Sequence, residues 1–187
     1  MKNLLILGLL VQIILGGTLN AQETKLCTKI NYGVELDALP YIFGGYYGSA
    51  WLKYNNFRIR PVITKITQPK FIVEDGFKNL NTKAYALIVD YFFDDKEIIK
   101  GLWIGTGLEY WDNNITENIS NSKKEYQNIY FTIGGGYVIN IWKNLYINPW
   151  IAGHLKFGGK SELKFAYKNY AVSNFVPEVS VKIGWRF

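Results

Sequence analysis

Histidine occurs once in this 187-residue chain, at His154, and cysteine once, at Cys27. A histidine acting as a general base needs a positioned partner. Ser49, Ser173 and Ser180 are the hydroxyls that tertiary folding can bring to His154, but no spacing in the sequence requires it. One His weakens any histidine-built metal site, and one Cys excludes both an intrachain disulfide and a cysteine-based zinc site. Gly44-Gly45 and Gly134-Gly135-Gly136 do not lead from a strand into a helix, so a phosphate loop has no context. The triplets Asn114-Ile115-Thr116 and Asn118-Ile119-Ser120 fit the glycosylation pattern, but they sit in an Asn-rich segment where chance matches are common. The expectation is therefore no catalytic residue, no cofactor and no metal, with His154 a hydrogen-bonding group. The remaining chemistry is charge: 21 Lys+Arg against 15 Asp+Glu, a net +6. The basic residues are dispersed, which argues against nucleic acid as a partner.

The elements that carry these residues begin with a targeting segment. Lys2, an apolar run from Leu4 to Leu15, and a small residue at Ala21 have the layout of a secretory signal peptide over 1–21, with residues 22–187 as the mature domain. The run is too short for a membrane helix, which needs roughly 20 apolar residues. Lys25 and bulky Leu26 precede Cys27, unlike the small residues before a lipidated cysteine, so Cys27 reads as a free thiol in the N-terminal tail.

After Gln22 no segment repeats apolar residues at helical spacing, and alternation prevails. Phe175, Pro177, Val179, Val181, Ile183, Trp185 and Phe187 share one face of a strand, and Glu178, Ser180, Lys182, Gly184 and Arg186 the other. The same reading gives strands around 30–38, 46–54, 57–64, 84–93, 102–110, 128–140 and 145–157, eight with the last. The connections alternate short (55–56, 94–100, 143–144) and long (40–45, 68–83, 113–125, 158–173), which puts the long ones at one end of an up-and-down barrel.

The polar face carries Glu35, Asp37, Asp90, Glu109 and Glu178 with Lys53, Arg58, Arg60, Lys156, Lys182 and Arg186, and His154 among them. An eight-stranded barrel has a lumen just wide enough for side chains, and buried charges of near-equal number can pair there. Strand glycines such as Gly33, Gly105 and Gly184 make room for them. Aromatics are 17% of the chain and are expected to form two belts. One includes Tyr32, Tyr54, Phe57, Phe93, Trp142, Trp185 and Phe187, the other Tyr46, Tyr47, Tyr85, Tyr110, Trp111, Tyr126 and Phe157.

The ending Val181, Ile183, Trp185, Phe187 resembles the C-terminal signature of bacterial outer-membrane proteins. With the alternation, it makes the mature chain resemble the small eight-stranded outer-membrane barrels of Gram-negative bacteria, the OmpA/OmpX- and OmpW-like architecture. The resemblance implies an all-β, eight-stranded antiparallel transmembrane barrel in the bacterial outer membrane, with the last strand read by the barrel-insertion machinery. It implies outer-membrane lipids and lipopolysaccharide as surroundings, a plugged lumen, and a non-enzymatic structural or surface-recognition role for four outer loops. Some such barrels are lipid-modifying enzymes with His and Ser two residues apart on one strand, but here Lys156 follows His154 at that distance. A lipid-modifying enzyme and a soluble periplasmic lipocalin-like carrier, whose apolar face would point inward, are the competing readings.

Overall fold

The computed structural model describes residues 30–94 and 99–187; the expected signal peptide at 1–21 and Cys27 lie outside them. Eight strands close into a barrel: β1 (Asn31–Asp37), β2 (Tyr46–Tyr54), β3 (Phe57–Thr67), β4 (Phe77–Phe92), β5 (Gly101–Glu117), β6 (Lys123–Trp142), β7 (Leu145–Gly159) and β10 (Phe175–Arg186). Each strand pairs antiparallel with its chain neighbours in the wall, and β1 closes the ring against β10. A row of paired residues runs from Val34 to Ala50, past Pro61 to Leu87, Leu108, Phe131, Leu155 and Phe175. It arrives ten residues before Trp185, the partner of Val34 where the row began. That stagger goes with strands tilted by about 35–45° to the barrel axis.

Two hairpins at one end are as short as hairpins get. Asn55 (φ 51°) and Lys143 (φ 46°) take the left-handed backbone that a two-residue turn demands at its first position. Arg186 steadies the second turn by donating to Lys143 O and Asn144 Oδ1, both at 3.3 Å.

Alternation decides which residues meet solvent or lipid and which meet each other. Tyr85, Leu87, Val89, Tyr91 and Phe93 face outward from β4, and Leu102, Ile104, Leu108 and Tyr110 from β5, all exposed. Nine residues of strand cover ~27 Å along the strand. Beyond that band the outward positions turn polar together, at Lys65, Lys83, Asp112 and Gln127, which are paired in register across β3 to β6. The inward positions carry Glu35, Arg58 and Asp90, each 0% exposed. The apolar face is thus the exterior, opposite to the orientation a lipocalin-like carrier needs.

The chain departs from the expected pattern in three places. A five-residue helix α1 (Ala38–Ile42) follows β1, capped by Asp37, whose Oδ1 accepts from Leu39 N–H at 3.0 Å. The motif is too short to leave a helical period. Strands β4 to β6 run on into segments expected to be loops, because residues such as Phe77, Ile115 and Tyr126 gain an apolar core of their own. A small hairpin, β8 (Glu162–Lys164) with β9 (Asn169–Ala171), supplies that core with Leu163 and Tyr170. Finally, Tyr47, Trp111 and Tyr126, expected in the outer belt, point inward; Tyr47 and Tyr126 are buried and Trp111 packs on Tyr130 with ring centroids 4.3 Å apart.

The lumen is crowded at the short-turn end. Trp51, Phe92, Ile99, Trp103, Val138 and Tyr146 form one buried cluster, and the glycines opposite them are required by size. A Cβ on Gly184 would lie 2.0 Å from Tyr146 Cζ, whereas one on Gly48 meets nothing within 4 Å. Gly184→Val should therefore lower the urea midpoint of the detergent-refolded barrel by the equivalent of about 1–3 kcal/mol. Gly48→Ala should stay within about 0.5 kcal/mol of the parent.

Candidate functional site

The interior divides into a charged cluster, a histidine relay and an open cavity. β3 sends Arg58 and Arg60 inward two residues apart, between Glu35 on β1 and Asp90 on β4. Arg58 Nη1 donates to Glu35 Oε1 at 2.9 Å and its Nε to Asp90 Oδ2 at 2.7 Å. Arg60 Nε reaches the same Asp90 Oδ2 at 2.7 Å, its Nη2 Asp90 Oδ1 at 3.0 Å, and its Nη1 Glu35 Oε2 at 3.4 Å. Glu35 also accepts from Tyr146 Oη at 3.0 Å and Asn148 Nδ2 at 3.1 Å. Trp103 closes the shell: its Nε1 donates to Asn148 Oδ1 at 2.9 Å, while both guanidiniums lie over its ring. Gly105 leaves the space Asp90 occupies, since a Cβ there would stand 2.2 Å from Asp90 Oδ1. Charges this deep persist only when paired and hydrogen-bonded.

Higher in the barrel, Glu109, Thr132, His154 and Glu178 form a chain across β5, β6, β7 and β10. Thr132 Oγ1 lies 2.8 Å from both Glu109 Oε1 and His154 Nδ1, and His154 Nε2 lies 2.9 Å from Glu178 Oε2. Trp111 Nε1 donates to Glu109 Oε2 at 2.6 Å, and its ring packs beside the imidazole at 5.3 Å. Both nitrogens of His154 are thus committed to Thr132 and Glu178. The candidate serines are placed elsewhere: Ser180 donates to Asp37 Oδ1 at 2.5 Å, Ser173 bonds around Phe175, and the buried Ser49 hydroxyl does not bond His154. The relay has the partners a general base needs but no serine nucleophile beside it.

The other predicted lumen residues fall in different places. Lys53 and Lys182 are buried within the barrel, Lys53 with its ammonium 5.6 Å from the Phe92 ring centroid. Lys156 sits at the loop end and donates to Val172 O and Ser161 Oγ, both at 3.2 Å, and Arg186 holds the β6–β7 turn. Neither joins the buried carboxylates: Lys156, three residues before the end of β7, and Arg186, the last residue of β10, reach loop and turn oxygens instead. The sequence reading did not single out Trp103, Thr132, Asn148, Tyr146 and Trp150. Their inward parity was legible, but alternation does not say which of the residues on one face touch.

A cavity of about 580 Å³ fills the loop-side half of the lumen. Its floor is Arg60, Trp150 and Lys182, one wall is Glu109, His154 and Glu178, and the rest is mostly apolar, including Val62, Ala84, Ala86 and Ile88. The extended strands and the β8–β9 hairpin cover the mouth. There, buried Glu117 accepts from the N–H groups of Tyr167 (3.0 Å) and Lys168 (2.9 Å) and from Ser120. Among the described residues no cluster of His, Cys, Asp and Glu has metal-binding geometry.

The crystal structure of Neisserial surface protein A (NspA) is similar, with TM-score 0.51 and 14% identity, over 84% of this chain and 96% of that chain. That likeness is one of fold. No family model matches, and no curated protein matches.

The charged cluster predicts strong coupling. Asp90→Asn leaves two buried guanidiniums short of a counter-charge and should cost about 3–5 kcal/mol of stability. In an Asp90→Asn/Arg60→Met double mutant the loss should be clearly smaller than the sum of the single losses, as read from urea midpoints. At the mouth, burial works against the Glu117 charge, but the hydrogen bonds from Ser120, Tyr167 and Lys168 outweigh it and hold the carboxyl below its ordinary value of 4.5. A lowered folded value means that its hold on the hairpin is complete above about pH 4.5 and is lost as pH falls through that lowered value. Amide exchange should show Tyr167 and Lys168 protected at neutral pH, less protected in strong acid, and unprotected at either pH in Glu117→Ala, which removes the acceptor.

Proposed function

We propose that this chain is an integral outer-membrane β-barrel of a Gram-negative bacterium, exported through a cleaved signal peptide. Its role is non-enzymatic: a structural scaffold whose four loop-side connections present a recognition surface. The observation that carries the reading is the inversion of polarity. The exterior is a continuous band of Ile, Leu, Val, Tyr and Phe, while the paired charges lie inside. In water such an exterior would far exceed the few hundred Å² of apolar patch that soluble monomers expose. In a bilayer it matches the roughly 25 Å apolar belt of a membrane barrel.

The edges of the band support the same reading. Tyr54, Phe57, Tyr91, Phe93, Trp142, Trp185 and Phe187 ring the short-turn end, and Tyr46, Tyr85, Tyr110, Phe157 and Phe175 the loop end, all facing outward. Amphipathic rings settle at the two interfaces of a bilayer. Just beyond the loop-end ring, Lys65 and Lys83 are direct cross-strand partners. Like charges placed opposite each other are unfavourable; Asp112, opposite Lys83 on its other side, offsets part of that repulsion, and the phosphates of lipopolysaccharide are anions of the right kind to bridge the two lysines at that height. Two lysines at the loop end are less available: Lys168 pairs with Glu74 at 2.8 Å, and Lys124 bonds Lys164 O. The described neighbour of like fold is named a surface protein, which agrees with exposure at the cell surface.

The lumen is read as plugged over its short-turn half, where the aromatic cluster and the arginine cluster leave no continuous path. The chain should fractionate with outer membranes and run at a different gel mobility before and after boiling. Recovery in the soluble periplasm, with one heat-independent mobility, would sink the reading.

A further inference from the structure

The barrel wall is incomplete on one side of the cavity. β1 pairs β10 only from Gly33↔Arg186 to Asp37↔Lys182, whereas β10 continues to pair β7 as far as Phe175. At Asp37 the chain leaves the ladder as α1 and returns as β2 at Tyr46. Along β10, Arg186 N–H bonds Asn144 O on the β7 side and Phe187 N–H bonds Tyr32 O on the β1 side. By strand alternation, the main-chain groups of Pro177 and Val179 therefore point toward β1, where no described strand meets them. Proline has no N–H to leave unpaired, which blunts such an edge. Leu39 and Pro40 of α1 and Val176 to Val179 of β10 line the cavity from the two sides of this seam.

The cavity floor holds two buried donors with nothing to donate to. Lys182 is 0% exposed, its Nζ has no hydrogen-bond partner, and it rests 3.4 Å from the centroid of the Trp150 ring. Trp150 Nε1 is likewise buried and unpartnered. Of the carboxylates around them, Asp37 accepts from Ser180 at Oδ1 while its buried Oδ2 has no partner, and Glu178 Oε2 lies 2.9 Å from His154 Nε2; although Asp37 is the cross-strand partner of Lys182, neither carboxylate bonds Lys182 Nζ. A ring face replaces only part of what water gives an ammonium, so this floor is complete only when an acceptor, best an anionic one, occupies the cavity. The walls above are apolar and the volume lies within the roughly 300–1,000 Å³ of small-molecule sites.

We propose that the cavity binds a single-chain amphiphile with an anionic head group. The head accepts from Lys182 and Trp150, and the chain runs along Val62, Ala84, Ala86 and Ile88 toward the seam between α1 and β10. Entry through that seam from the outer leaflet rests on the membrane reading above; the site itself does not.

The test uses the whole barrel in phosphatidylcholine nanodiscs, with fluorescence of Trp111 and Trp150 quenched by bromine-labelled chains. Brominated stearate and a brominated lysophosphatidic acid are the two anionic arms, and a brominated long-chain alcohol is the neutral control. Above the linear quenching from membrane partition, at least one anionic probe should give a saturable component at one per barrel, and the alcohol should give none. Whichever anion saturates identifies carboxylate or phosphate as the source of the head group. Lys182→Gln should weaken that component at least tenfold. Ala86→Phe, which fills the chain path and changes no charge, should abolish it and decides the matter if Lys182→Gln does not fold. The absence of a saturable phase, equal saturation by the alcohol, or unchanged affinity in both variants would overturn the site. Failure of the membrane reading would instead show in fractionation and gel mobility.

Discussion

The structure depends on keeping Arg58 and Arg60 paired where water cannot reach them. Both guanidiniums stand on β3, and the two carboxylates that neutralise them come from β1 and β4, on either side. With the exterior given over to apolar side chains, the interior is the place left for charge, and an unpaired ion there would cost several kcal/mol. Cross-lumen contacts follow from this. Tyr146 and Asn148 from β7 reach Glu35, Trp103 from β5 reaches Asn148, and Gly105 and Gly184 stay bare so that Asp90 and Tyr146 have room. The cluster therefore ties opposite walls of the barrel together through side chains, adding to a backbone ladder that already closes on itself.

The two halves of the lumen differ in what fills them. Near the short turns, rings and guanidiniums interleave, with Arg58 over both Phe92 and Trp103 and Arg60 over Trp103. Toward the loops, small inward residues such as Ala84 and Ala86 face half-buried Val62, and the cavity opens between them. The same half is where the wall is thinnest, because β1 stops at Asp37 and a short helix replaces its continuation. Asp37 serves both sides of that change. It caps α1 through Leu39 and takes the Ser180 hydroxyl from β10, so the end of the ladder is pinned.

The histidine relay sets a catalytic-looking residue among hydrogen-bonding partners. His154 has a carboxylate within hydrogen-bonding distance at Nε2 and a hydroxyl at Nδ1, the partners expected of a base and its orienting acid. Yet that hydroxyl belongs to buried Thr132, which is shared with Glu109 and does not line the cavity. The four groups join four strands across the barrel and satisfy one another's hydrogen bonds in a low-dielectric interior.

The sequence by itself determined the number and order of the barrel strands, though not the β8–β9 hairpin, their inward and outward faces, and the inward placement of Glu35, Arg58, Arg60, Asp90, Glu109, His154 and Lys182. A strand has period two, so one run of residues states both faces at once. It did not reveal α1, whose five residues are shorter than any helical repeat, nor the extension of β4 to β6, whose outer ends lie outside the apolar alternation. It assigned Lys156 and Arg186 to the lumen by parity, but parity carries no information about height, and both lie toward the ends of the barrel, bonded to loop or turn oxygens. Tyr47, Trp111 and Tyr126 lay near the expected belt in height and on the opposite face in fact. Which charge meets which, where the lumen is filled and where it is empty, and that the β1–β10 ladder ends at Asp37 were decided only in three dimensions. The reason is geometric: the stagger of the closed barrel brings together residues as far apart as Glu35 and Asn148, and no local pattern in the chain encodes that offset.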